Sequence, residues 1–379
     1  MKSVLAMVLV GGRGSRLHSM TKHTAKPAVP FLGKYKLIDF VLSNLTHSFI
    51  DTVGIITQYE PQELMNYIQR GSSWDLDVRE GGIHFLTPYQ SQAGEQFQRG
   101  TADAIKQHFY FIEQYQAEWV LIASGDHVYK MDYRPMIEFA RLNDADVTIA
   151  AFKPDDSLSR YGVLDFDEDG TLLAFAEKPD NPKSDYASMG LYVFKKAALK
   201  RLLFEAAGDY FDFGHDLIPL AIKQAMNIRV FAYGGYFRDV GTVDSYYDTT
   251  MELLDRPDWI GLYDYKDAPL YSRSYDLPPH HIASPYPIRR SFISDGCLIM
   301  GRVEHSVISH NVVLKENAFV MDSILFPGVS VGENAVVKNA IILDQTVILP
   351  GAKLVYKTPT VVDNETLWAL TQGGAQDER

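Results

Sequence analysis

Cysteine is nearly absent from this 379-residue sequence, which contains only Cys297. A single thiol cannot form an internal disulfide, so nothing indicates folding in an oxidising compartment. Long apolar runs are absent as well. The stretch Val4–Val10 leads straight into glycines with no small-residue cleavage site, and no run approaches the ~20 residues of a membrane span. We therefore expect a cytoplasmic protein that is neither secreted nor embedded in a membrane.

Positive charge is in short supply. The chain has 36 Lys and Arg against 48 Asp and Glu, which gives a formal net charge of −12. A nucleic-acid-binding protein would present a basic face, so we set that class aside. The same balance constrains any function that involves phosphates, because Lys and Arg would have to be concentrated where the anionic ligand binds.

Motifs for nucleophilic and zinc-dependent catalysis are also missing. We find no nucleophile elbow, no His-Glu-x-x-His motif and no Ser/His/Asp set, and His127 has no second His or Cys at ligand spacing. A reaction in which an already ionised phosphate attacks needs none of these groups. It needs alignment, a metal ion and cations that stabilise charge on the attacked phosphorus, so the absences favour that chemistry.

The first two-thirds of the chain alternates apolar strands with stretches of helical spacing. The predicted strands are Val4–Val10, Thr52–Thr57, Trp119–Ala123, Val147–Ala151 and Ile228–Tyr233, and the predicted helices include Pro61–Gln69, Thr101–Gln114 and Tyr133–Leu142. This alternation predicts an α/β domain with a mostly parallel sheet covered on both faces. Ligands of such sheets bind beyond the carboxyl ends of the strands.

The last third of the chain has a different pattern. Prolines punctuate a stretch after residue 255, which we interpret as an ordered connector. Beyond it, apolar residues recur at every sixth position: Val307, Val313, Phe319, Leu325, Val331, Val337, Leu343, Leu349 and Val355. This period is typical of a parallel β-helix in which each short side points one side chain inward. The predicted domains are therefore 1–255, a connector at 256–290, and a β-helix at 291–379.

A glycine-rich segment, Gly11–Leu17, follows the first predicted strand. It is neither a Walker A loop nor the dinucleotide fingerprint, because Leu17 stands where the third glycine of the fingerprint should be. Glycines allow the backbone N–H groups to approach phosphate oxygens, although a plain turn would look the same. The cations Arg13, Arg16 and Lys26 lie in or near this segment, which favours an anion site.

Two aspartates follow predicted strands. Asp126 comes directly after Trp119–Ala123, and Asp239 lies in the glycine-bracketed turn Gly234–Thr242. Either residue alone could be a helix cap or a turn former. Together they could hold one Mg²⁺, which prefers a few carboxylates with substrate phosphates.

These motifs resemble those of bacterial glucose-1-phosphate adenylyltransferases, nearly end to end. The matching segments are Gly11–Leu17, Ala25–Val29, Gly33–Asn44, Gly100–Ala104, Gly125–Tyr133, Phe175–Pro179, Ser188–Phe194, Asp212–Pro219 and Gly235–Thr242. The resemblance implies a Rossmann-like nucleotidyltransferase domain followed by a C-terminal left-handed parallel β-helix. It also implies conversion of ATP and α-D-glucose 1-phosphate to ADP-glucose and pyrophosphate in glycogen biosynthesis, and a homotetramer whose β-helix has a structural and allosteric role.

The resemblance further implies a role for individual residues. Arg16, Lys26 and Asp126 would be catalytic, and Asp126 and Asp239 would hold Mg²⁺. The residues around the nucleotide would be Gly11, Gly12, Gly14, Gln90, Gly100, Thr101 and Asp103. Those around glucose 1-phosphate would be Gly162, Glu177, Lys178, Ser188, Tyr192 and Asp216.

The sequence departs from the family pattern at several of these motifs. Phe97 and Gln98 replace Trp-Tyr, Phe237 replaces Trp, and His215 replaces Lys. These departures leave open a non-catalytic regulatory subunit of a hetero-oligomeric enzyme. A sugar nucleotidyltransferase that uses UTP, GTP or dTTP is a second alternative. A third is a β-helix that transfers acyl groups, with His305 or His310 as the base.

Overall fold

The computed structural model describes residues 3–11, 14–22, 24–88, 90–91, 94–95, 98–155, 157–206, 208–264, 266 and 268–373. The packing divides the chain into two compact units. The first contains Met1–Arg13 and Phe40–Arg238, and the second contains Gly14–Asp39 and Asp239–Arg379. This division does not test the domain boundaries at residues 255 and 290, which stay a prediction.

The first unit is built on a nine-stranded sheet. Its strands are β1 (Val4–Val10), β2 (Thr52–Thr57), β3 (Gly82–Leu86), β4 (Trp119–Ser124), β5 (Val147–Phe152), β6 (Gly162–Phe166), β7 (Leu172–Glu177), β8 (Tyr186–Lys195) and β9 (Ile228–Ala232). Strands β1, β2, β4 and β5 are buried along almost their whole length. Burial on both faces explains why they are continuous apolar runs rather than alternating ones.

The strand order is β7-β6-β8-β4-β1-β2-β3, with β5 paired to β8 and β9 paired to β5. Strands β1 to β4 are parallel to one another, and β5 is parallel to β9. Only β7 and β8 run against the other seven strands of this sheet. The predicted mostly parallel sheet is thus confirmed, and the carboxyl ends of β1, β2 and β4 lie at one edge.

Short helices connect the strands. The α-helices are α1 (Ile38–His47), α2 (Pro61–Ile68), α3 (Thr101–Gln107), α4 (Phe109–Glu113), α5 (Arg134–Leu142), α6 (Lys196–Lys200), α7 (Ile218–Lys223), α8 (Val243–Asp255) and α9 (Asn364–Gly373). The predicted single helix over 101–114 is divided at His108, whose backbone leaves the helical region at φ −103° and ψ 14°. None of the described helices is long and apolar enough to cross a membrane.

Shorter elements complete the described chain. Short 3-10 helices lie at Ser15–Thr21, Lys26–Ala28, Ser72–Trp74, Leu158–Arg160 and Pro257–Ile260, and π-helical turns lie at Arg201–Glu205 and Phe213–Leu217. Small strands lie at Pro30–Phe31, Tyr35–Lys36, Gln90–Ser91, Gly94–Glu95, His127–Tyr129 and Phe237–Asp239.

The second unit contains a stack of short parallel strands. One sheet joins His281–Ile282, Leu298–Ile299, Val313–Leu314, Ser330–Val331 and Val347–Ile348. The other joins Phe292–Ile293, Arg302–Glu304, Val307–Ile308, Phe319–Met321, Ile324–Leu325, Val336–Ile342 and Lys353–Val362. Every described pair in these two sheets is parallel. The chain therefore coils as a parallel β-helix, as the six-residue period predicted.

The register of this coil differs from the prediction. The buried positions are Ile308, Leu314, Val320, Leu325, Val331, Val337, Ile342, Ile348 and Leu354. Their spacing repeats as six, six and five, because one coil takes 17 residues, the separation at which Ser323 N–H meets Ser306 Oγ. Of the predicted inward positions, Leu325, Val331 and Val337 are correct, whereas Leu349 and Val355 are 61% and 56% exposed.

A tight corner causes the short side of each coil. At this corner His305, Asp322 and Asn339 adopt the left-handed conformation, with φ of 45°, 46° and 52°. Ser323 follows Asp322, and its hydroxyl donates to Met321 O while accepting the N–H of the residue one coil later. The serine hydroxyls thus satisfy backbone groups at the corner where the side of the coil has one residue fewer than the other two.

We expect substitutions at inward and outward positions of the coil to differ in their effect on the free energy of unfolding. Leu325→Ala, at a fully buried inward position, should lower the free energy of unfolding by about 2–5 kcal/mol because it leaves a cavity. Leu349→Ala, at an outward position, should change it by less than ~0.5 kcal/mol. Urea unfolding of both variants measures the difference, and equal losses would show that the strict six-residue register is correct.

Candidate active site

The glycine loop begins at the carboxyl end of β1. A Cβ on Gly11 would lie 3.4 Å from Gln98 Oε1 and 3.5 Å from Gln58 Oε1, so two side-chain amides face this glycine. Gln58 also donates from Nε2 to the backbone oxygen of Gln98 at 3.3 Å. Gly12 and Arg13 lie outside the described residues. Our sequence reasoning missed Gln58, although its position directly after β2 is the signal that could have found it.

Gln98, one of the departures from the family pattern, is buried against a histidine. Its Nε2 lies 3.2 Å from Nε2 of His108, which is fully buried. Burial lowers the pKa of His108 to about 4, so the ring is neutral near pH 7 and accepts a hydrogen bond from the amide. The amide NH₂ is thereby held by His108. Phe97, the departure that precedes Gln98, lies outside the described residues.

The start of α3 is bound to a distant segment. The N–H groups of Ala102 and Asp103 donate to Phe211 O at 2.8 and 3.2 Å. A Cβ on Gly100 would lie 2.3 Å from that same oxygen, so the approach requires glycine. The buried Asp103 carboxylate accepts from the N–H of Arg99 and from Gln107, which secures the first turn of the helix. Gln90 lies in Gln90–Ser91, and its side chain is outside the described part.

Several residues predicted for the sugar phosphate lie together in the first unit. Glu177, at the end of β7, packs against two glycines: a Cβ on Gly162 or Gly214 would lie 2.9 or 2.6 Å from its Oε2. Lys178 Nζ lies 3.2 Å from Glu177 Oε1. The glycines leave the space that the carboxylate occupies, and the cation beside it is a suitable partner for a phosphate.

Tyr192 and Ser188 are contributed by β8. The Tyr192 ring stacks on Phe213 with centroids 5.2 Å apart. Burial raises the pKa of Tyr192, a hydrogen bond with Ser188 opposes this rise, and the charges of Asp212 and Glu177 add to it. The phenol therefore stays protonated and can act as a hydrogen-bond donor beside two carboxylates.

Asp216 is held within its own loop. Its Oδ2 accepts from the N–H groups of Phe211 and Asp212 at 2.8 and 3.0 Å, and its Oδ1 contacts His215 Nδ1. Burial opposes ionisation, but these hydrogen bonds lower the pKa of Asp216 below its usual range. His215 replaces a lysine of the family pattern. When it is protonated, it is a cation beside the Asp216 carboxylate.

Our sequence reasoning also missed Asp212. Its Oδ1 accepts the N–H groups of Gly214 and His215 at 2.9 and 3.1 Å and so caps the turn at Phe213–Leu217. The signal was available, because an Asp just before a helical stretch is a typical N-cap residue.

Asp126 lies just beyond β4 with its carboxylate partly exposed. The hydroxyl of Ser124 donates to Asp126 Oδ1, and His127 Nε2 lies 3.7 Å from the same oxygen. The His127 ring packs edge-on against Phe237 at 5.2 Å. Phe237 is 3% exposed and also packs against Phe152, so the ring that replaces tryptophan belongs to a buried aromatic cluster.

The second unit brings three predicted catalytic and metal-binding residues together. Lys26 Nζ lies 3.5 Å from Asp239 Oδ1, and the lysine side chain is only 9% exposed. A Cβ on Gly241 would lie 3.3 Å from Arg16 Nη2 and 3.5 Å from Asp239 Oδ1. Glycine at 241 therefore allows a guanidinium and a carboxylate to approach the same backbone.

Gly14 is required by the turn that leads to Arg16. It adopts the left-handed conformation at φ +59°, and a Cβ there would lie 2.9 Å from Thr21 Cγ2. The Thr21 hydroxyl donates to Gly14 O at 2.9 Å. Gly14 thus has a local conformational reason to be glycine, in addition to its predicted place near the nucleotide.

The metal prediction concerns one carboxylate from each unit. Asp126 belongs to the first unit and Asp239 to the second. Within the described part of the chain, no group of three or more His, Cys, Asp or Glu side chains could hold an ion. Two carboxylates nevertheless suit Mg²⁺, which keeps few protein ligands and takes substrate phosphates and water for the rest.

The two histidines considered for acyl transfer have structural surroundings. His305 lies between Asp322 and Asp255, with Nδ1 2.7 Å and Nε2 3.3 Å from their carboxylate oxygens. His310 stacks on Tyr275 with centroids 4.4 Å apart. Both interactions hold the β-helix to neighbouring segments of the second unit.

The mostly parallel sheet, with the glycine loop at the carboxyl end of β1, agrees with the class of nucleotidyl transferases to which the comparisons assign the chain. Residues 5–256 match the family described as Nucleotidyl transferase, and residues 284–374 match the family described as GlmU-like, C-terminal hexapeptide. The glucose-1-phosphate adenylyltransferases of Bacillus anthracis and Bacillus thuringiensis subsp. konkukian are each 44% identical to this chain over 351 residues, which are 92% of this chain and 93% of the relative. The protein of Bacillus mycoides with the same name is 43% identical over the same length.

The chain therefore belongs to the glucose-1-phosphate adenylyltransferase family of nucleotidyl transferases. The resemblance recognised from the sequence motifs is confirmed.

We expect His108 to make stability depend on pH. Its pKa is about 4 in the folded protein and ~6.5 in the unfolded chain, so between these values the unfolded chain binds more protons. Stability should fall as pH drops from ~6.5 towards ~4, by about 2 kcal/mol at pH 5. His108→Gln, which keeps a partner for Gln98 but does not titrate, should lose about 2 kcal/mol less between pH 7.5 and pH 5. Urea unfolding at the two pH values measures this, and equal losses in both proteins would contradict it.

Proposed function

We propose that the chain transfers the adenylyl group of ATP to α-D-glucose 1-phosphate and releases pyrophosphate. The observation that carries this proposal is the cluster of Arg16, Lys26 and Asp239 around Gly241, because it concentrates cations in an acidic protein. Such a cluster suits a triphosphate whose α-phosphorus is attacked. The names of the relatives supply the substrate pair.

The proposed reaction needs no protein nucleophile. An oxygen of the sugar phosphate forms a bond to the α-phosphorus in line with the bond to the β-phosphate. That bond breaks, and its electron pair leaves with pyrophosphate. Since the attacking phosphate is already ionised, no general base is required. We assign Arg16 and Lys26 to the stabilisation of charge on the transferring phosphoryl group.

We assign Mg²⁺ to Asp126 and Asp239. The carboxyl oxygens of both residues fit this hard cation, and the ion would neutralise phosphate charge and orient the triphosphate when bound. Ser124 and Lys26 contact these two carboxylates, so each has a neighbour that fixes its orientation.

The remaining site residues other than Thr101 keep their predicted assignments. Around the nucleotide we place Gly11, Gly12, Gly14, Gln90, Gly100 and Asp103. Around glucose 1-phosphate we place Gly162, Glu177, Lys178, Ser188, Tyr192 and Asp216. The closeness of Glu177 to Gly162, Lys178 and Gly214 supports the second set.

We propose a homotetramer in the cytoplasm, or a hetero-oligomer with a homologous subunit, whose β-helix carries oligomer contacts and allosteric regulation. Exposed apolar side chains on the last coils, Val347 and Val355, support a contact surface there.

A non-catalytic regulatory subunit is the second candidate function. The departures at Gln98, Phe237 and His215 favour it, since regulatory subunits lose features of the active site. Each of these side chains nevertheless has defined partners in the structure. The presence of Arg16, Lys26, Asp126 and Asp239 supports the catalytic assignment.

The test is an assay of the purified chain alone with Mg²⁺ and glucose 1-phosphate, comparing ATP, UTP, GTP and dTTP. We expect ADP-glucose and pyrophosphate to form from ATP at a rate at least tenfold above that with the other nucleotides. Asp126→Asn, assayed beside it, should retain the fold by circular dichroism and lose turnover. A chain that is inactive alone yet alters the kinetics of a homologous subunit would establish the regulatory role, and a preference for another nucleotide would reassign the substrate.

A further inference from the structure

We propose that Thr101 is a positioning residue for the glucose 1-phosphate segment rather than a contact to the nucleotide. The segment is residues 211–216, which carry the predicted sugar residue Asp216. This inference rests on the proposed function, and it changes the assignment of one residue that the sequence had grouped with the nucleotide.

The hydroxyl of Thr101 is already used within the protein. Thr101 Oγ1 donates to Asp212 Oδ2 at 2.9 Å and accepts the N–H of Phe213 at 3.1 Å. A hydroxyl has one hydrogen to donate, and here the carboxylate takes it. A nucleotide phosphate would have to displace Asp212 before it could accept a hydrogen bond from Thr101.

Backbone contacts join the same two segments. Phe211 O accepts from the first N–H groups of α3, at Ala102 and Asp103, and approaches Gly100 closely. The free N–H groups at a helix N-terminus can bind a phosphate, but here two of them are taken up by the protein. Together with the two hydrogen bonds of Thr101, four bonds connect the start of α3 to residues 211–213.

Thr101 acts on the sugar site through Asp212. One carboxylate oxygen of Asp212 accepts from Thr101, and the other caps the N–H groups of Gly214 and His215. Gly214 packs against Glu177, and Phe213 stacks on Tyr192. Fixing Asp212 therefore fixes the backbone against which two predicted sugar residues lie.

The proposal predicts that loss of the Thr101 hydroxyl affects the KM for glucose 1-phosphate and the KM for ATP differently. Loss of the Thr101 hydroxyl leaves Asp212 Oδ2 and the Phe213 N–H without this partner, and the 211–216 segment should loosen. Recognition of glucose 1-phosphate then suffers, whereas the nucleotide loses no direct contact. If Thr101 contacted the nucleotide instead, recognition of ATP would suffer more than recognition of glucose 1-phosphate.

The experiment compares Thr101→Val, which has the shape of threonine without the hydroxyl, with Thr101→Ser, which keeps the hydroxyl. We expect Thr101→Val to raise the KM for glucose 1-phosphate about five- to tenfold while the KM for ATP changes less than twofold. Thr101→Ser should restore the KM for glucose 1-phosphate to within twofold of the unchanged protein. A rise in the KM for ATP equal to or larger than that for glucose 1-phosphate would overturn the proposal, as would no change in either.

Hydrogen exchange at the Phe213 amide gives a readout that does not depend on turnover. It should be at least tenfold faster in Thr101→Val and unchanged in Thr101→Ser, because the amide donates to the threonine oxygen. If the unchanged protein makes no ADP-glucose, the proposed function fails while the exchange result still tests the Thr101 link. If Thr101→Val does not fold, Thr101→Ala serves in its place, and unchanged exchange at Phe213 contradicts the link.

Discussion

The contact between Lys26 and Asp239 is the interaction on which the proposed chemistry depends. The lysine ammonium is largely withdrawn from water, and a buried charge is costly unless an opposite charge and hydrogen bonds compensate. Asp239, which lies 213 positions later in the sequence, supplies the opposite charge. The packing around the pair supports it: the Tyr246 hydroxyl donates to Pro30 O at 2.6 Å and ties helix α8 to the segment that follows Lys26.

Glycines allow charged side chains to approach the backbone closely at three positions. Carboxylates and guanidinium groups lie against the backbone at Gly162, Gly214 and Gly241, where any Cβ would come within about 3.3 Å of a charged side chain. At each of these positions the lack of a Cβ on glycine is what allows the charged side chain to lie there. At Gly241 this close approach places the Arg16 guanidinium beside Asp239, which in turn contacts Lys26, so two cations of an acidic protein lie in one place.

Much of the fold follows from local sequence patterns. Strands β1 and β2 have the predicted bounds because buried parallel strands are continuous apolar runs with sharp polar ends. The β-helix followed from its period, but the inward register did not, since valine and leucine also occupy outward positions near the end of the coil. The single residue lost at one corner of each coil lies where hydrogen bonds join successive coils, and a periodic count does not contain these bonds.

Many residues of the candidate site could be named from the sequence, but only some of the contacts among them could be predicted. Arg16, Lys26 and Asp239 were named from motifs that resemble those of a family, and the structure brings them together. Gln58 and Asp212 were not named, because their roles come from neighbours 40 and 111 positions away. The break between α3 and α4 at His108 was likewise not predicted, and it falls at a fully buried residue whose ring contacts Gln98.

The most direct test of this account is steady-state kinetics of Lys26→Ala, with Lys26→Arg as the charge-retaining control. If Lys26 stabilises charge that develops during the transfer, Lys26→Ala should lower kcat about 10²- to 10³-fold and change the KM for ATP much less. Lys26→Arg should recover part of the loss. An alanine variant with unchanged kcat and a raised KM for ATP would show that Lys26 only binds the nucleotide, and it would contradict the account.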